Sequence, residues 1–227
     1  MAEFRPIRRA RAGGPDLSGF EGVHLTLRAG LEELTAAVGA WRPGDAATAA
    51  VLHRLWHHFA KGLHHHHVGE DDLVWPALRA AAPGFAEQEE RMRSEHADVD
   101  GHLGEADTAF AAFAERPDEA SAERLRVTLG RLGASLEEHL RHEEDDVLPL
   151  INEHLAADAW RRIDTQLLRR LPFRDLAVAV GSIDDAIRRN PEALAAMPAP
   201  PLPVRALLAV AWRRRFARLV APIRKAG

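Results

Sequence analysis

Apolar positions in this chain recur at steps of three and four residues over four long stretches, the spacing that keeps side chains on one face of an α-helix. One stripe runs Phe20, His24, Leu27, Leu31, Leu34, Val38, Trp41, and a second runs Leu52, Trp56, Phe59, Leu63, His66, Glu70, Leu73. A third runs Met92, His96, Val99, Leu103, Ala106, Phe110, Phe113, and a fourth runs Leu125, Leu129, Leu132, Leu136, His139, Glu143, Val147, Leu150. The pattern predicts helices over 17–40, 45–81, 85–114 and 118–155, separated by the turn sequences RPGD at 42–45, AAPG at 81–84 and ERPD at 115–118. Strand-like alternation is nearly absent, and connections this short join antiparallel neighbours. The expected fold is therefore all-α, an up-down-up-down four-helix bundle over 17–155 with a C-terminal helical extension over 156–227.

The stripes are not purely apolar. In the second and fourth, hydrocarbon gives way to a histidine, then a glutamate four residues later, and then resumes; the first and third each carry one histidine. An ionised glutamate inside a bundle costs on the order of several kcal/mol unless a counter-charge accompanies it, and a bound cation supplies one. Sliding the chain so that His66 falls on His139 also lays Glu70 on Glu143 and Pro76 on Pro149, with GEDDLVWPAL (69–78) over HEEDDVLPLI (142–151). One residue less of offset lays His24 on His96. Two helix pairs of one design, packed about a pseudo-twofold axis, bring two half-sites together.

A histidine and a glutamate one helical turn apart can serve one cluster, the imidazole capping one metal while the carboxylate reaches the next. The candidate ligands are His24, His66, Glu70, His96, His139 and Glu143. This mixed nitrogen and oxygen set suits iron or manganese and leaves coordination positions open for oxygen, nitric oxide or peroxide.

Composition narrows the chemistry. There is no cysteine, which removes thiolate ligands, iron–sulfur clusters and disulfides, and no tyrosine, which removes a phenolate ligand or tyrosyl radical. The 13 histidines are the anomaly. A net charge of −4 makes no general case for nucleic acid, although Arg5, Arg8, Arg9 and Arg11 form a short basic arm within residues 1–16, read as a flexible, solvated tail. No stretch has the apolar run of a secretory signal or a bilayer span, so the expected location is the cytoplasm.

The order His24, His66 with Glu70, His96, then His139 with Glu143 resembles the hemerythrin-like, HHE cation-binding family over about residues 17–155. The resemblance implies a pair of iron ions, or iron with manganese, joined by an oxo or hydroxo bridge. It also implies that Glu70 and Glu143 bridge the metals, with His24 and His66 on one and His96 and His139 on the other. One position departs from it. Hemerythrins carry a second histidine four residues after the first in the third helix, and here that position is Asp100. His102 is no substitute, because six residues of helix rotate it about 120° from His96. Asp100 has three roles open to it: a ligand, an acceptor for an imidazole N–H, or a residue facing water. As a ligand its extra oxygen would favour the ferric state over simple reversible oxygen carriage.

The remaining residues take plainer readings. In the run His64 to His67 only His66 lies on the stripe; His64 and His65 point away, and His67 sits at the flank near Asp71 as a surface or supporting residue. His57 falls on the opposite face. Asp71, Asp72, Glu144, Asp145 and Asp146 read as a solvated rim paired with arginines, and Trp56, Trp75 and Trp160 read as packing. Beyond residue 155, two further helices precede the proline-rich AMPAPPLP (196–203) and a last helix over 204–225. That helix carries Leu207, Leu208, Trp212, Phe216, Leu219, Val220 and Ile223 beside Arg213, Arg214, Arg215, Arg218, Arg224 and Lys225. It is expected to dock on the bundle, or on a second copy to make a homodimer, with its arginines on the acidic rim; contact with an anionic membrane is the less favoured reading. Two functional classes follow: a protein that binds or senses a diatomic or peroxide ligand, and a di-iron oxidase, oxygenase or peroxide-decomposing enzyme whose extension forms a pocket or lid.

Overall fold

The computed structural model describes residues 13–199 and 202–224, so the four arginines of the basic arm and Lys225 lie outside the described residues. The first helices are α1 (Ser18–Ala40), α2 (Ala46–Gly69) and α3 (Trp75–Ala81), followed by α4 (Ala86–Glu115), α5 (Glu119–His142) and α6 (Leu148–His154). The extension comprises α7 (Ala157–Arg169), α8 (Phe173–Arg189), α9 (Pro191–Ala196), α10 (Leu202–Leu207) and α11 (Arg213–Arg224). No strand occurs among the described residues, and no helix among them is long and apolar enough to cross a membrane.

Local chemistry sets the ends of these helices. Gly44 turns the chain at φ 94°, a left-handed conformation that glycine adopts without penalty, and Asp45 then caps α2 by accepting from the Thr48 amide at 2.9 Å. Asp118 and Ser121 cap α5 reciprocally, each side chain accepting from the other's backbone amide.

The four long helices pack in a ring, α1 against α2, α2 against α4, α4 against α5 and α5 against α1. Every position of the first and third stripes is buried, from Phe20 to Trp41 and from Met92 to Phe113. Trp56 stacks on Phe110 with centroids 4.8 Å apart. Inside the ring hydrocarbon collects in two main clusters, one around Leu52, Leu129 and Phe110 and the other around Phe20, Trp75, Met92 and Leu148. His24 lies between Phe20 and Leu27, His66 and Glu70 between Leu63 and Val74, His96 between Met92 and Val99, and Glu143 between Leu140 and Val147, at the junction of the two clusters on each helix.

Two π-turns, Glu70–Val74 and Glu143–Val147, interrupt the second and fourth predicted helices, each beginning at a glutamate of the repeat. The Trp75 and Leu148 amides donate to the Glu70 and Glu143 carbonyls, five residues back. Pro76 and Pro149 follow directly; they have no N–H to give and would clash with the carbonyl four residues earlier, which the widened turn relieves. The extra residue shifts the stripe, so the buried positions after the glutamates are Val74, Trp75 and Leu78, then Val147, Leu148 and Ile151, whereas Leu73 and Leu150 are only half-buried.

The extension lies against the ring. In α7, Trp160 and Ile163 join the cluster around Phe20, and the Trp160 Nε1–H donates to the Asp16 carbonyl at 2.9 Å. Helix α8 packs on α1, and α11 packs on α8 and α2, where Val220 and Ile223 enter the main core. At Gly181 a Cβ would stand 3.0 Å from Phe216 Cβ and 3.1 Å from the Trp212 carbonyl oxygen, so any larger residue would push α8 and the last helix apart by a few tenths of an ångström. Contrary to the expectation from sequence, the paired arginines of the last helix do not reach the acidic rim. Arg213 pairs with Asp184, and Arg224 pairs with Glu33 of α1 and Asp185 of α8. Helix α9, capped by the Asn190 side chain, lay outside the expectation, and the last predicted helix is divided by a π-turn at Leu208–Trp212.

Phe110 carries much of the lower core. Phe110→Ala is expected to destabilise the chain by about 3–5 kcal/mol, read as a lowered midpoint in urea unfolding with the m-value unchanged.

Candidate metal centre

His24 comes from α1, His66 and His67 from the last turn of α2, His96 from α4 and His139 from the last turn of α5. Glu70 and Glu143 open the two π-turns. All six residues expected from sequence come together, and their side chains are no more than 7% exposed.

Each glutamate reaches both halves of the repeat. Glu70 Oε1 lies 3.0 Å from His66 Nδ1, and its Oε2 lies 3.3 Å from His96 Nε2. Glu143 Oε2 lies 3.2 Å from His24 Nε2 and 3.8 Å from His139 Nε2. Yet none of the four carboxylate oxygens, nor Nε2 of His24, His66, His96 or His139, has a hydrogen-bond partner. Polar atoms this deeply buried normally have one. Lone-pair donors that face one another without hydrogen-bond geometry fit a site that is completed by cations lying between them. Donor atoms of His24, His66, Glu70 and Glu143 lie within 4.8 Å of one another, and so do those of His67, His96 and His139.

Around these donors stands a ring of acids that sequence reasoning assigned to a solvated rim or missed. His24 Nδ1–H donates to Glu144 Oε1 at 2.8 Å, and His139 Nδ1–H donates to Glu95 Oε2 at 3.3 Å. His96 Nδ1 faces Asp71 Oδ1 at 3.3 Å. Buried Arg28 in turn holds Glu144 and Glu137 with both edges of its guanidinium. Asp71 and Glu144 each follow a glutamate of the repeat by one residue, and Arg28 follows His24 by one turn; that repetition was the available signal. Asp72, Asp145 and Asp146 do form the expected rim, paired with Arg170, Arg141 and Arg91.

Two further assignments resolve here. His67 is not at the surface but 1% exposed, its ring stacked on His96 at 4.2 Å. Asp100 accepts from its Nδ1–H at 3.4 Å and is not among the clustered donors, so of the three roles left open it takes that of acceptor. His64 and His57 are exposed as expected, whereas His65 is half-buried with Nε2 3.3 Å from the Leu167 carbonyl of α7.

The electrostatics follow from burial and neighbours. Burial disfavours a charged His24, but Glu143 and Glu144 outweigh it and raise its pKa to about 9. Burial likewise opposes, and Asp71 and Glu70 overcome, a rise of His96 to about 10. Burial pushes His67 down to about 4 despite Asp100. Against its own desolvation, Glu70 is held well below the usual carboxylate range by His66 and His96. Without a cation, then, His24 and His96 hold protons against the acids beside them; a cation that takes those nitrogens displaces the protons.

Helical architecture and a buried nest of imidazoles and carboxylates together define an all-α cation-binding protein. The family model of the hemerythrin HHE cation binding domain matches residues 17–151, well over half of the chain, and the chain belongs to that family. No curated protein and no solved structure matches it.

The pKa directions fix a pH dependence for the metal-free chain. Folded-state values raised to about 9 and about 10 mean that His24 and His96 contribute stability that is full below pH 6.5 and is lost as pH rises through those values. Urea midpoints of chelator-treated protein should fall between pH 7 and pH 10, and His24→Gln should flatten the decline; an unchanged slope in that variant contradicts the assignment.

Proposed function

We propose that the chain is a non-haem di-iron protein that binds oxygen, nitric oxide or peroxide for sensing, storage or detoxification, its ring of helices running up-down-up-down over 17–155. The observation that carries this reading is the convergence of buried, unpartnered histidine and glutamate donors from four helices on one layer between two hydrocarbon clusters. His24 and His66 would hold one iron, His96 and His139 the other, and Glu70 and Glu143 would reach both. When bound, the irons supply Lewis acidity and redox capacity toward a small ligand.

The chain's own residues prepare that chemistry. Glu70 and Glu143 supply two of the negative charges that offset the cations. Glu144 and Glu95 fix the Nδ1–H of His24 and His139, which leaves Nε2 with the lone pair and sets each ring's orientation. Arg28 keeps Glu144 in place. Phe20 lies 5.0 Å from the His24 ring and 5.1 Å from the His66 ring, and Trp160 of α7 backs it at 5.9 Å. This cover keeps bulk water off the centre, and a ligand that passes such packing must be only a few atoms in size. That supports a diatomic or peroxide ligand over an organic substrate.

Metal analysis of protein purified without air should give two irons per chain, and Glu143→Ala should lower that content with the helical circular dichroism retained. Absorption spectra before and after oxygen, nitric oxide and peroxide should change reversibly with at least one of them. Two irons with no spectral response to any of the three would refute ligand binding while leaving the metal centre intact.

A further inference from the structure

His67 shares its surroundings with His96 and His139. Its Nε2 is buried and unpartnered, as theirs are, and a donor atom from each of the three lies within 4.8 Å of the others. The Nδ1 atoms are turned outward alike: His67 to Asp100 at 3.4 Å, His139 to Glu95 at 3.3 Å and His96 toward Asp71 at 3.3 Å. An imidazole whose Nδ1–H is held by a carboxylate presents Nε2 as a lone-pair donor. Satisfying a core histidine requires no such arrangement, because it leaves the second nitrogen orphaned.

Helix geometry explains how adjacent residues can both face the centre. Consecutive side chains diverge by about 100° around a helix, and α2 stands at a corner of the ring between α1 and α4. His66 therefore meets His24 of α1, with rings 5.1 Å apart, while His67 meets His96 of α4. The repeat offers no counterpart, since the position matching His67 in the second half is Leu140, fully buried.

We propose that His67 is a seventh metal ligand, joining His96 and His139 on one ion, and that Asp100 is the positioning residue that aims it. The inference rests on the di-metal reading above. It makes the centre asymmetric, with three imidazoles on one side and two on the other, and it gives Asp100 a role that is not ligation.

The test is ferrous loading of the full chain without air, with iron counting, competition against a chelator and Mössbauer spectra. His67→Leu should weaken the second iron by at least about 10-fold and change one quadrupole doublet while sparing the other. His67→Leu combined with Asp100→His should restore the second iron, because an imidazole at 100 points into the space that His67 vacates. Asp100→Ala should weaken the same iron by about 10–100-fold, whereas Asp100→Asn, which keeps an acceptor oxygen, should stay near the original affinity. Should metal-free His67→Leu fail to fold by circular dichroism, His67→Gln is the variant to read. Two irons in His67→Leu with unchanged affinity and doublets overturns the inference alone; failure of the unaltered chain to take up an iron pair overturns the di-metal reading and this inference with it.

Discussion

Two glutamates buried in hydrocarbon, with no hydrogen bond to any of their oxygens, are the constraint around which the rest of this structure is arranged. Charge in such a layer is tolerated only with a counter-charge at short range, because the surrounding medium screens it weakly. The chain meets the requirement in shells of alternating sign. The inner carboxylates face imidazoles, the imidazoles face Glu144, Asp71, Glu95 and Asp100, and arginines back the first three of these acids: Arg28 at Glu144, Arg93 at Asp71 and Arg91 at Glu95. Each shell is intelligible only from the one inside it. Glu95 illustrates the cumulative effect: burial would raise its carboxyl, but His139, His142 and Arg91 bring it down to about 2.

Much of this was legible before any coordinates. The stripes of α1 and α4 are buried position for position, since uninterrupted α-helix obeys the period on which such readings depend. The six expected donors converge for the same reason, being upstream of the π-turns or at their first residue. Downstream of them Val147 is buried as read, but the reading slipped by one residue from Leu73 to Val74 and from Leu150 to Ile151, because a π-turn adds a residue that no 3.6-residue wheel contains. The prolines at 76 and 149 were visible as a repeat, but their effect on the turn before them was not.

His67 and the Glu144 side chain are buried and Asp71 half-buried where a surface or solvated position was read, for a different reason. A helical wheel divides inside from outside by one direction, which suits a hydrophobic face. A helix at the corner of a ring has two inward directions, and the polar layer built from four helices occupies both. Acids beside the two buried glutamates look like rim in a one-dimensional pattern, yet Glu144 reaches His24 on α1 and Asp71 reaches His96 on α4. Those partners lie far along the chain, so only the packing reveals them.

The extension ties into the ring at several points, and the closest is next to the centre itself. Gly69, buried and immediately before Glu70, has the Leu167 side chain of α7 where its own Cβ would be. A methyl group at position 69 would therefore displace the tip of the Leu167 side chain, which can turn aside while the backbone stays in place. The seam between α7 and the π-turn that begins at Glu70 is thus closed by a leucine tip resting on bare backbone, which brings the extension against the residue next to the glutamate.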